Sequence, residues 1–186
     1  MQSRLTGIVV LLLAALAAHA DNTPLADAAE QQNWSGIDAV LKPGVDVNAA
    51  QADGSTALLW ATHYDNVATV AVLLEKGANA NAKNRYGITQ LAEAAQNGNA
   101  AIVERLLAAG ADAHAALPEG DTPLMIASRT GSAAVVKLLL ARGAAVDARD
   151  AWHGETALMW AAGENNTEVV SLLVKAGADL NAKAIA

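Results

Sequence analysis

The chain has 186 residues, 53% of them of hydrophobic type, which is enough for one folded domain and too apolar for a disordered chain. A net charge of −7 argues against general binding to nucleic acid or anionic membranes, both of which call for clustered Lys and Arg. The absence of cysteine excludes disulfides, thiol catalysis and cysteine-based zinc sites. Ala, Val and Leu dominate the apolar set, while Phe is absent and aromatics make up 3%, so a core of closely packed helices is expected.

The first element reads as a signal peptide over residues 1–20, the alternative being a retained membrane anchor. Arg4 supplies a positive start, residues 8–16 (IVVLLLAAL) form a short apolar run, and Ala18-His19-Ala20 offers small residues where cleavage needs them. The run is shorter than the roughly 20 apolar residues that span a bilayer. Asp21 and Asn22 follow at once, and no cysteine stands at the cleavage point to carry a lipid. The mature chain is therefore expected to begin at Asp21, to be exported (periplasmic or secreted), and to have no membrane insertion after cleavage. Losing the segment removes Arg4 and no acid, which makes the mature chain one unit more negative.

From Thr23 onward the sequence repeats. Glycines recur at Gly44, Gly77, Gly110, Gly143 and Gly177, and threonines at Thr23, Thr56, Thr89, Thr122 and Thr156. Both series keep a period of 33 and both accept one extra residue in the last interval. Each Thr is a good N-cap, and Pro24 and Pro123 follow where a missing N–H costs nothing. A short helix follows, as at 57–63 or 123–129, and then a turn at Asp65-Asn66, Asn97-Gly98 or Thr130-Gly131. A second helix carries apolar residues at helical spacing, such as Ile102, Val103, Leu106 and Leu107, and the recurring Gly ends it. Segments such as 79–84 then lead to the next Gly-containing turn, a projecting finger. One helix pair cannot bury its own apolar faces, but about three or more stacked pairs can, and here there are five. Ala61, Ala94, Ala95, Ala127, Ala161 and Ala162 are expected to let neighbouring first helices approach closely.

The segments DGSTAL (53–58), GDTPLMIA (120–127) and VKLLLARGA (136–144) strongly resemble ankyrin repeats. The resemblance implies an all-α solenoid of five helix-turn-helix repeats with β-turn fingers over 21–186, with units at about 23–52, 53–85, 86–118, 119–152 and 153–186. One departure stands out. The histidine the family places after Thr-Pro-Leu is replaced by Ala26, Leu59, Ala92, Met125 and Met159, so apolar packing is expected to stand in for the Thr–His hydrogen bond. The first unit reads as a polar cap, with Asp27, Glu30, Gln31, Gln32 and Asn33 expected on its opening helix. The fifth does not, which leaves three readings open: further repeats beyond it, a partner over it, or a second copy.

The resemblance also implies binding through finger tips and the exposed face of the first helices. Carried over by position, that surface comprises Asp53, His63, Tyr64, Arg85, Tyr86, Gln96 and Asn97, and continues through Glu119, Arg129, Trp152, His153 and Glu155. Its aromatics and arginines are the residue types enriched at interface hot spots. Trp60 and Trp160 sit earlier on their helices and are expected to be half-buried. The extra residue falls at Trp152-His153, where Trp152 is either a binding anchor or a ring folded back over the neighbouring finger.

Other chemistries find no constellation. His63, His114 and His153 lie one per repeat without paired-ligand spacing, so no metal site is expected. No nucleophile elbow or phosphate-binding Gly loop occurs, so neither catalysis nor a cofactor is expected, nor a small-molecule ligand. The expected function is an exported protein–protein interaction module with a protein partner; the alternative is an N-terminal targeting array of a larger exported enzyme.

Overall fold

The computed structural model describes residues 23–185, and the signal peptide expected at 1–20 lies outside them. Ten helices are found among these residues, in five pairs. They are α1 (Pro24–Glu30) with α2 (Trp34–Val40), α3 (Ala57–His63) with α4 (Val67–Glu75), and α5 (Gln90–Asn97) with α6 (Ala100–Ala108). The last two pairs are α7 (Pro123–Thr130) with α8 (Ala133–Ala141), and α9 (Ala157–Gly163) with α10 (Thr167–Lys175). Each first helix packs on the first helix of the next unit, α1 on α3 through α7 on α9, and the second helices stack likewise from α4 to α10. The fingers contribute only isolated antiparallel bridges, Ala50 with Thr56 and Lys83 with Thr89.

Local chemistry explains the helix ends. The Oγ1 of Thr56, Thr89, Thr122 and Thr156 each accepts from the backbone N–H three residues on, at 3.1–3.4 Å. Thr23 departs from that expectation: its hydroxyl donates to Asp27 Oδ1 at 3.0 Å instead. All five recurring glycines after the second helices have positive φ, as a left-handed helix terminator requires. The turn between paired helices uses the same conformation at Gln32, Asp65, Gly98, Gly131 and Asn165. The sequence pattern does not disclose that register, because side chains of five units share only the backbone angle there.

A continuous core runs through the stack, with Leu25, Leu58, Leu91 and Leu124 buried from the first helices and Ile37, Leu73, Leu106, Leu139 and Leu173 from the second. Ala61, Ala94, Ala95, Ala127 and Ala161 are buried between first helices. Ala162 is not: it is exposed, on a flank of α9 against which no helix packs among the described residues. Ala26, Leu59, Ala92 and Met125 are buried, and Met159 is half-buried, at the five positions where the resemblance implies histidine, so apolar contact stands in place of that hydrogen bond. At the first unit Glu30, Gln31, Gln32 and Asn33 face solvent, while at the fifth Val174, Leu180 and Ile185 are exposed apolar side chains.

The fingers lie against one another in a row. Arg85 N donates to Asp53 O at 2.7 Å, Ala151 N to Glu119 O at 2.9 Å, and Ile185 N to His153 O at 2.6 Å. Pro118 occupies the corresponding place in the finger at 116–122 and has no N–H to give, so it instead packs its ring on Gly87. Gly120 shows how tight the row is. Its φ is +90°, and a Cβ there would lie 2.6 Å from the backbone N of Ala151. Gly120→Ala is therefore expected to lower stability by about 2 kcal/mol, part from the left-handed conformation and part from displacing the next finger. Chemical denaturation checks this, and an unchanged midpoint would show that the row yields freely.

Candidate protein-binding face

Among the described residues, two of the cavities open on the face formed by the first helices and the fingers. The first, of about 290 Å³, lies between the fingers at 50–56 and 83–89. Leu59 and Trp60 of α3 make its floor with Ile88, Tyr86 stands at its rim, and Asp53, His63 and Glu93 bring charge and polarity. The second, of about 190 Å³, lies between the fingers at 116–122 and 149–156 and is lined by Glu119, Asp121, Asp150, Trp152, His153 and Trp160.

The aromatic tips are built by backbone capping from below. Asn84 Oδ1 accepts from both Tyr86 N and Ile88 N at 3.0 Å, which fixes the turn that carries Tyr86. The last finger is one residue longer and carries Asp150 in the equivalent place. With two oxygens Asp150 takes three donors: Trp152 N at 2.8 Å, His153 N at 2.7 Å and Glu155 N at 2.9 Å. The inserted residue is thus absorbed by exchanging an amide acceptor for a carboxylate. Tyr86 is 58% exposed and Trp152 71% exposed, so Trp152 projects into solvent and does not fold back over its neighbour.

Around the first cavity, Asp53 accepts from Ser55 N and Ser55 Oγ at 2.9 and 2.8 Å. The Ser55 N–H leads the effects that hold its carboxyl below the ordinary value. His63 Nδ1 lies 2.7 Å from Glu93 Oε1 across the unit boundary. The Arg85 guanidinium sits 5.2 Å from the Tyr86 ring centroid and donates to its hydroxyl at 3.2 Å. At the second cavity Arg129 sits over the Trp160 ring at 5.2 Å and also donates to Gln96 Oε1 at 3.2 Å. Trp60 and Trp160 are half-buried, as expected, yet each forms a cavity wall.

Not every residue expected on the face is free to serve it. Tyr64 stacks on Trp60 with centroids 6.1 Å apart and meets Trp34 of the preceding unit edge-on, so its ring joins two units. Asn97 Nδ2 donates to the carbonyls of Thr62 and His63 at 3.2 and 3.1 Å, tying α5 to the end of α3. Tyr64, Arg85, Gln96, Asn97, Arg129 and Glu155 line neither cavity. Leu59, Glu93 and Asp150 were outside the expected set. Glu93 is legible only once α5 is laid beside α3, and Asp150 only once the three N–H groups above it are placed.

Asp121 is half-buried, and burial leads the effects that raise its carboxyl above the ordinary value; Arg129 opposes this while Asp150 and Glu119 add to it. A raised acid favours the protonated folded state, so its contribution to stability is full below the unfolded value and is lost as pH rises through the folded one. Asp121→Asn is accordingly expected to melt higher than the wild type at pH 7 and to lose that advantage near pH 3. Thermal melts at the two pH values read both.

Among the described residues no three His, Asp or Glu side chains gather as a metal site, and no helix is long and apolar enough to cross a membrane. Stacked helix pairs with an open, cavity-lined face define a repeat solenoid, a class of binding scaffold. A family model described as ankyrin repeats (3 copies) matches residues 2–84, 25–116 and 91–184. The chain belongs to the ankyrin-repeat family, whose repeats are generic protein–protein interaction modules and typically non-catalytic scaffolds. No curated protein matches the sequence.

Proposed function

We propose that the chain is an exported module that binds a protein partner through its finger tips and the face of its first helices. The observation that carries this reading is the pair of aromatic tips, Tyr86 and Trp152, held largely in solvent above lined cavities by dedicated backbone caps. Exposing large rings on rigid turns is unfavourable for a monomer and favourable for a binding face, because little ordering remains to be lost on association. Surface acids steer such a face toward a basic patch and away from nucleic acid. Export rests on the N-terminal pattern of Arg4, the apolar run 8–16 and Ala18-His19-Ala20.

Affinity capture from the native exported fraction tests the reading, with the wild-type chain beside a Tyr86→Ala/Trp152→Ala variant. A protein retained by the first is expected to be depleted at least about tenfold by the second, since two hot-spot aromatics are removed. Equal Tm values must accompany that loss. Equal recovery on both baits would remove the face from consideration.

A further inference from the structure

At one finger position, three residues before the helix-capping Thr, the second, third and fourth units carry Asp53, Tyr86 and Glu119. The fifth places Trp152 and His153 there because of its inserted residue. Acid and aromatic therefore alternate along the row. The row of hydrogen bonds between fingers is broken at Pro118 and runs on past the last finger through Ile185 N and His153 O. The finger of Asp53 is bonded to that of Tyr86, and the finger of Glu119 to that of Trp152, while Pro118 breaks the link between the two pairs. Each bonded pair encloses one of the two cavities. The face thus consists of two copies of one device, an acid on one side and a ring on the other, two repeats apart.

Resting on the binding reading above, we infer that this face is bidentate for an extended basic segment of the partner, with one Lys or Arg side chain seated in each cavity. The chemistry selects that side chain. Its methylenes suit the apolar floor of Leu59 and Trp60 and the ring faces of Tyr86 and Trp152, and its charge suits the acids beside them. The protein already places guanidinium groups on a ring of each cavity, Arg85 on Tyr86 and Arg129 on Trp160. Acids still outnumber these cations at both sites: Asp53 and Glu93 at the first, Glu119, Asp121 and Asp150 at the second. An acidic side chain would be repelled there, and a purely aliphatic one would strip water from carboxylates without pairing them.

Spacing follows from the repeat. Neighbouring packed helices lie about 10 Å apart, so cavities two repeats apart are separated by about 20 Å. An extended chain advances about 3.3 Å per residue and turns alternate side chains to one face. The two basic side chains are therefore about six residues apart.

The test uses the full chain and fluorescein-labelled Gly/Ser peptides carrying Arg at positions i and i+6, at i and i+3, or once, with a Glu i, i+6 peptide as control. Fluorescence anisotropy is expected to give the i, i+6 peptide an affinity about tenfold above the i, i+3 and single-Arg peptides, through the second cavity's effective concentration. Trp152→Ala and Tyr86→Ala, each with unchanged Tm, should each reduce it to the single-Arg level. Equal affinity at both spacings, no detectable binding at about 1 mM, or an advantage that survives both substitutions would overturn the inference. A captured partner that depends on Tyr86 and Trp152, beside a flat spacing series, would leave the binding face standing and remove only this account of its ligand.

Discussion

Asp150→Ala is expected to lower stability by about 3 kcal/mol and to weaken partner capture nearly as much as loss of Trp152 itself. Asp150 is 5% exposed and its carboxylate holds three backbone N–H groups of the longest finger. Hydrogen bonds to a charged group contribute about 1.5–3 kcal/mol each, discounted here because Trp152 and His153 are exposed and their freed N–H groups can reach water. Asn84→Ala is the matching change at the shorter finger, where one neutral oxygen serves two donors, and about 1 kcal/mol is expected. Guanidinium denaturation of both variants reads the contrast; equal losses would mean that the carboxylate does not hold the extended turn.

The same group sets an acid dependence. Burial alone would raise the Asp150 carboxyl, but the N–H groups of His153, Trp152 and Glu155, with the nearby His153 ring, outweigh burial and hold it below the ordinary value. A depressed folded value means that its stabilisation is present above the unfolded value near 3.9 and is lost as pH falls through the folded one. The gap between wild type and Asp150→Ala should therefore narrow below about pH 4. A gap of constant width as pH falls from about 6 to 2 would assign the loss to packing instead.

The fold was legible because the repeat converts local chemistry into register. Thr56, Thr89, Thr122 and Thr156 mark helix starts, Gly77 and its counterparts mark helix ends, and a residue's place between two such marks tells which layer it occupies. Tyr86 and Trp152 were legible as tips for the same reason. What the period cannot report is contact between units. Asn97 looks like any exposed polar residue at a helix end until the Thr62 and His63 carbonyls stand beside it. Glu93 looks like a solvated helix residue until His63 is found 2.7 Å away. Thr23 carries the repeat's own signature yet behaves differently, because Asp27 lies one helical turn ahead and competes for its hydroxyl. The break in the row of fingers was hidden in a single atom, the hydrogen that Pro118 lacks.

Leu106→Ala is expected to lower stability by about 3 kcal/mol, with the whole array unfolding in one transition. Leu106 is fully buried on α6, in the third of five units, and truncation of a buried Leu costs about 2–5 kcal/mol through lost transfer energy and the cavity left behind. Position in the array decides the rest. Repeat stability is close to a sum of unit and nearest-neighbour terms, and about three units are needed to stand alone. A lesion in the third unit leaves two units on either side, neither block sufficient, so the array fails together. Leu173→Ala removes the same atoms from an equally buried site on α10, but four intact units remain beside it. That variant should fray first, with α9 and α10 losing amide protection while α3 to α8 keep theirs and the main transition hardly moves. Hydrogen exchange read helix by helix separates the two outcomes. If Leu173→Ala instead lowers the main midpoint as far as Leu106→Ala in one sharp step, the five units form an indivisible core and the nearest-neighbour account of this solenoid is wrong.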